Sequence, residues 1–149
     1  MCNGHSTRIS QGGSIAVLRS RSRDTSPALE TPEEWRLYFF NNNITTATRP
    51  ETGTRVELQS SQTYNGDCRI FIHHDGDLNA TAATLPPNHI PANPFYAFSL
   101  KENSESVVRL AQRLDLGVGG AGIIGRRVSL VARGVDGEVN IAEGVIGWN

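Results

Sequence analysis

The stretch RVSLVARGVDGEVNIAEGVIGW, residues 127 to 148, decides the fold class, because apolar and polar residues alternate on both sides of Asp136-Gly137. Successive side chains on a strand point to opposite faces, so a period of two marks a half-buried strand. Asp-Gly accepts the positive φ angles of a two-residue hairpin turn. A turn there sets Val128 opposite Val145 and Leu130 opposite Glu143, gathering Val128, Leu130, Ala132, Val139, Ile141 and Val145 on one core-facing side. Glu143 is the one charge on that side, so a bulge near Gly144 or an edge position is expected.

Working back from this hairpin, Gly117-Val-Gly119-Gly120-Ala-Gly122-Ile-Ile-Gly125 spells G-x-G-x-x-G. A dinucleotide site needs a strand before the glycines and a helix after them. The order here is reversed, so the segment reads as a connector, with Arg126-Arg127 leaving an anion site as the minor alternative. Val107, Leu110, Ala111 and Leu114 fall at helical spacing and predict a short helix over 104–115, ended by Gly117. Phe95 to Leu100 reads as a strand, and the prolines at 86, 87, 91 and 94 make the segment before it an extended loop.

Cys68 to Ala82, CRIFIHHDGDLNATA, combines the aliphatic run Ile70-Phe71-Ile72 with the densest set of reactive side chains. An Asp75-Gly76 turn predicts a second hairpin, with His74 opposite Asp77 and Phe71 opposite Ala80. His73 then points away from His74. Val56 and Leu58 alternate with Arg55, Glu57 and Gln59, which predicts a strand and a three-strand meander over 54–84. Thr31-Pro32-Glu33-Glu34 carries helix-start chemistry, and Trp35, Tyr38 and Phe39 follow at helical spacing, predicting a second short helix over 32–41.

The expected fold is therefore mainly β: a sandwich, roll or barrel of about seven to eight short strands with those two helices packed on it, α+β being the alternative. Residues 1–30, rich in Ser, Arg, Gly and Thr, read as a loose arm holding one short strand at Ile15 to Leu18, ahead of a single domain over 31–149. A formal net charge of −1 supplies no field to draw in nucleic acid or an anionic membrane. No apolar run is long enough to span a bilayer and the N-terminus lacks a secretory hydrophobic core, so a soluble protein of unassigned compartment is expected. Two cysteines, Cys2 and Cys68, suit neither a disulfide framework nor a zinc site. A bridge between them requires an oxidising compartment.

No complete catalytic constellation is visible, and no catalytic residue or cofactor is assigned. The leading expectation is a non-catalytic binding or assembly module whose ligand is a small molecule, glycan or protein, with Trp35, Tyr38, Tyr64, Tyr96 and Trp148 as recognition side chains. A homo-oligomer is compatible with it. The alternative is a small metal-using or His/Asp-dependent hydrolase built on His73, His74, Asp75, Asp77 and His89, residue types that ligate divalent metals or act as general bases. A third reading places nucleic acid on Arg19, Arg21 and Arg23, although three arginines without interleaved aromatics disfavour it.

Overall fold

The computed structural model describes residues 12–20, 34–41, 53–60, 66–78, 93–100, 107–135 and 137–149. Among them the chain forms eight strands and no helix: β1 (Ser14–Ser20), β2 (Glu34–Phe40), β3 (Arg55–Ser60), β4 (Cys68–Ile72), β5 (Tyr96–Leu100), β6 (Val107–Arg109), β7 (Arg127–Gly134) and β8 (Gly137–Trp148). All neighbours are antiparallel in one sheet of order β5-β4-β7-β8-β1-β2-β3-β6, curled into a nearly closed barrel with β5 and β6 as its free edges. No helix of the described residues is long and apolar enough to cross a membrane.

The inner face is filled by alternate residues of every long strand. Leu18, Leu37, Phe39, Val56, Ile70, Ile72, Val128, Leu130 and Ile146 are fully or almost fully buried. The strand expected at Ile15–Leu18 is present as β1 and lies between β8 and β2, in the middle of the sheet.

Neither expected helix is present among the described residues. Over 34–40, Trp35, Leu37 and Phe39 turn inward and pair with β1 and β3. The same aromatics fit a period of two as well as a helical one. Aromatic residues favour strands, and so short a helix has little stability of its own, so flanking strands decide the matter. Over 104–115 the described part begins as β6, where Val108 pairs with Val56, and continues as irregular chain. Leu110 and Leu114 still reach the core.

That irregular chain seals one end of the barrel. Thr54, fully buried, accepts the Leu114 amide on its Oγ1 at 2.8 Å and donates its hydroxyl to Asn41 Oδ1 at 2.7 Å. Asn41 donates in turn to the Leu114 carbonyl at 2.7 Å, and Ser14 donates to that of Leu116 at 3.2 Å. Buried polar groups are tolerated only when bonded, and here they fasten the 110–116 segment to the ends of three strands. Ile123 enters the core behind it.

Both hairpin expectations need correction. In the C-terminal pair Gly134 faces Gly137, so the chain reverses one residue earlier than an Asp136-Gly137 turn, and Gly137 takes a φ of 114° that favours glycine. The register then shifts between Leu130 and Val131, opposite Ile141 rather than near Gly144. As a result Ala142 and Ile146 join Val128 and Leu130 in the core, whereas Glu143 and Val145 face outward.

The Asp75-Gly76 hairpin is absent. A strand has two edges, and those of β4 are taken by β5 and β7. The 54–84 meander fails for the same reason, because β3 is flanked by β2 and β6. Gly76 does not adopt a left-handed φ. Its requirement is proximity: a Cβ there would stand 2.1 Å from the Gly125 carbonyl oxygen. Gly76→Ala is accordingly expected to cost about 1–3 kcal/mol through overpacking against backbone. Gly120→Ala, where a Cβ meets nothing within 4 Å, should stay within about 0.5 kcal/mol of the parent. Urea denaturation of the pair checks this, and equal midpoints would refute the close approach.

Candidate functional site

The densest cluster of chemistry-bearing side chains lies on the outer face of β4, β7 and β8. His73 follows Ile72, whose side chain is in the core, so alternation turns its imidazole outward. Two bonds prolong the ladder beyond β4: His73 N–H donates to the Arg127 carbonyl at 2.8 Å and Arg127 N–H to that of Asp75 at 2.7 Å. The β-ladder places Phe71 beside Ser129, and Ser129 beside Glu143.

The resulting network has a defined polarity. Arg127 Nη2 lies 3.0 Å from His73 Nδ1, and because guanidinium only donates, Nδ1 is the acceptor. In the neutral ring Nε2 then carries the proton and faces Ser129 Oγ at 2.7 Å. Ser129 donates its hydroxyl to Glu143 Oε1 at 3.3 Å, and Asn140 Nδ2 donates to the same oxygen at 2.6 Å. Arg127 also donates to the Asp77 carbonyl at 3.0 Å. The four principal members are inaccessible, with exposures of 8% for His73, 6% for Arg127, 1% for Ser129 and 9% for Glu143.

A serine beside a histidine and an acid invites comparison with a nucleophilic triad. The directions are wrong for it. A general base must accept the serine proton, and the acid must face the other imidazole nitrogen. Here the nitrogen facing Ser129 is the donor and a cation faces the other one. The arrangement is a buried relay joining a cationic to an anionic side chain, which holds the 73–78 segment against β7.

Of the five metal-ligand candidates, His73 is thus engaged at both ring nitrogens. His74, Asp75 and Asp77 are exposed. His74 makes an edge contact with Phe95 at 5.6 Å, and Asp75 Oδ1 accepts the Asp77 amide at 3.2 Å. The divergence of the two histidines, expected from alternation, is present. His89 lies outside the described residues, among which no three His, Cys, Asp or Glu side chains converge as a metal site.

The aromatic candidates are dispersed. Trp35 is in the core, Tyr96 is half-buried on edge strand β5, and Trp148 is exposed at the end of β8. Tyr38 stands on the outer face of β2, stacked on Phe40 with ring centroids 6.1 Å apart. Tyr64, Cys2, Arg21 and Arg23 lie outside the described residues. Phe40 joins the outward aromatics only in the structure, although its apolar neighbours Leu37, Tyr38 and Phe39 carry the signal in the sequence.

The glycine segment leads into a strand, as expected of a connector. Arg126 secures it by donating to the carbonyls of Gly120, Gly122 and His74, each at 2.7 Å, with its guanidinium 3.9 Å above the Phe95 ring. Those donors serve carbonyl groups, which leaves the anion reading little support. Cys68 is a free, buried thiol, pushed up to about 11 by burial and then by the charge of Asp67, so it is no ready nucleophile. No protein-family profile matches the chain, and no characterised protein shows significant similarity to it.

Proposed function

We propose that this chain is a non-catalytic binding or assembly module. The observation carrying the proposal is the mutual bonding and burial of Arg127, His73, Ser129 and Glu143: the side chains best suited to chemistry bond to one another and lie below the surface. Recognition then falls to the outer surface, where the half-buried Tyr38 and Phe40 form a stacked aromatic pair among the described residues.

The competing metal-hydrolase reading makes an opposite forecast. Purified protein should contain no stoichiometric zinc, manganese or iron, and a chelator should leave its melting temperature unchanged. Metal bound at one equivalent and lost in His74→Ala or Asp75→Ala, with a chelator-induced fall in stability, would overturn the proposal, because lost ligation is lost folding energy. Both positions are exposed, so neither substitution threatens the fold itself.

A further inference from the structure

The two ring nitrogens of His73 differ in what an added proton meets. Nε2 already carries hydrogen and faces Ser129 Oγ at 2.7 Å, so protonation adds a hydrogen at Nδ1 alone. Nδ1 lies 3.0 Å from Arg127 Nη2, which is itself a donor. Two N–H groups on two cations would then point at each other, at residues only 8% and 6% exposed. Among the described residues, the charged groups around the ring come from β7, β8 and its own segment. β7 brings Arg127, and β8 brings Glu143, which stands one hydroxyl further away and already accepts from Ser129 and Asn140. On the segment itself His74, Asp75 and Asp77 are exposed, and the Asp75 carboxylate accepts the Asp77 amide. Glu143 favours an imidazolium and Arg127 opposes it. The guanidinium is the nearer of the two, and burial acts with it by disfavouring a second charge.

We infer that His73 is an acid-sensitive latch: protonation of its ring displaces the Arg127 guanidinium and frees the 73–78 segment from β7. The same guanidinium donates to the Asp77 carbonyl at 3.0 Å, so both side-chain attachments are lost together. What remains is the backbone pair joining His73 and Asp75 to Arg127, and the bond from Arg126 to the His74 carbonyl. These lie past the end of β4, where a ladder opens at low cost. β4 itself is held by β5 and β7 and stays in the sheet. The sign of the pH dependence follows. The closed latch takes the neutral ring, whereas the open or unfolded chain takes up a proton below about pH 6.5, the ordinary imidazole value. Closure is therefore fully favoured above that value and is lost as the pH falls through it. One unit lower, the ratio of closed to open should have dropped about tenfold.

Amide hydrogen exchange of the full chain tests this, with a chelator present throughout so that loss of metal cannot mimic the effect. Between about pH 7.5 and about pH 5.5, protection of the His73 and Arg127 amides, corrected for the intrinsic pH dependence of exchange, should fall about tenfold. The amides of β1 should keep theirs. His73→Asn places a carbonyl oxygen that can accept from Arg127 and cannot be protonated in this range, so its protection should not change with pH. An equal fall in parent and variant overturns the inference, as does unchanged protection in the parent. A second measurement does not depend on the variant folding: an NMR titration of the parent's imidazoles should show the His73 ring neutral, with hydrogen on Nε2, wherever the two amides are protected. A protonated His73 ring alongside full protection of those amides overturns the latch.

Discussion

Leu18→Ala is expected to lower the stability of the protein by about 3 kcal/mol, a large share of the roughly 5–15 kcal/mol available to a domain. Leu18 is wholly buried, on a strand hydrogen-bonded on one side to β2 and on the other to β8. Truncation removes three carbon atoms and leaves a cavity that two flanking strands cannot readily close. Urea denaturation should show a lower midpoint at an unchanged slope, because the surface exposed on unfolding is nearly the same. The test is informative because this residue belongs to the segment that composition marks as a loose arm. In a loose arm the substitution would leave the midpoint where it was.

Arg127→Ala should cost a comparable amount, about 3 kcal/mol, for an electrostatic reason. The guanidinium serves His73 Nδ1 and the Asp77 carbonyl together, and its removal strips both acceptors of this donor, the imidazole nitrogen in a buried setting. Removing one partner from a buried network costs more than the net worth of its bonds, because the desolvation of the remaining groups goes uncompensated. Arg127→Lys should restore only part of the loss, since a single ammonium lacks the planar fork that spans both acceptors. Arg126→Ala is the comparison. Arg126 makes three carbonyl bonds near solvent, where water can replace the lost donor, and its loss should cost about 1 kcal/mol. Equal destabilisation by the two alanine substitutions would show that the buried relay has no special weight.

Both predictions concern features that differ in how openly the chain announces them. Leu18 stands in an apolar run and its strand was legible; its central position in the sheet was not, because alternation reports which residues share a face and nothing about the neighbouring strand. The relay was less legible still. His73 stands out by its residue type, but Arg127, Ser129 and Glu143 lie far from it along the chain, and no local spacing links them. Glu143, the one charge on the expected core face, points to a bulge, and the extra residue at Ile141 supplies it: a one-residue shift exchanges the two faces of a strand and turns Glu143 outward. At Asp75-Gly76 the residue types matched a hairpin turn, yet β4 had already committed both edges to β5 and β7.

The sequence by itself determined that the protein is mainly β, where most of the strands run, that the two adjacent histidines diverge, and that the glycine segment leads into a strand. These follow from side-chain period and turn chemistry, which act within a few residues. Tertiary structure alone decided that Glu34–Phe40 is a strand rather than a helix, that the strand order brings β4 beside β7, and that His73, Arg127, Ser129 and Glu143 meet. The physical reason is that an aromatic segment of this length has weak conformational preference of its own. Its state, like each strand's choice of neighbour, is settled by which arrangement buries the most apolar surface while leaving the fewest polar groups unbonded.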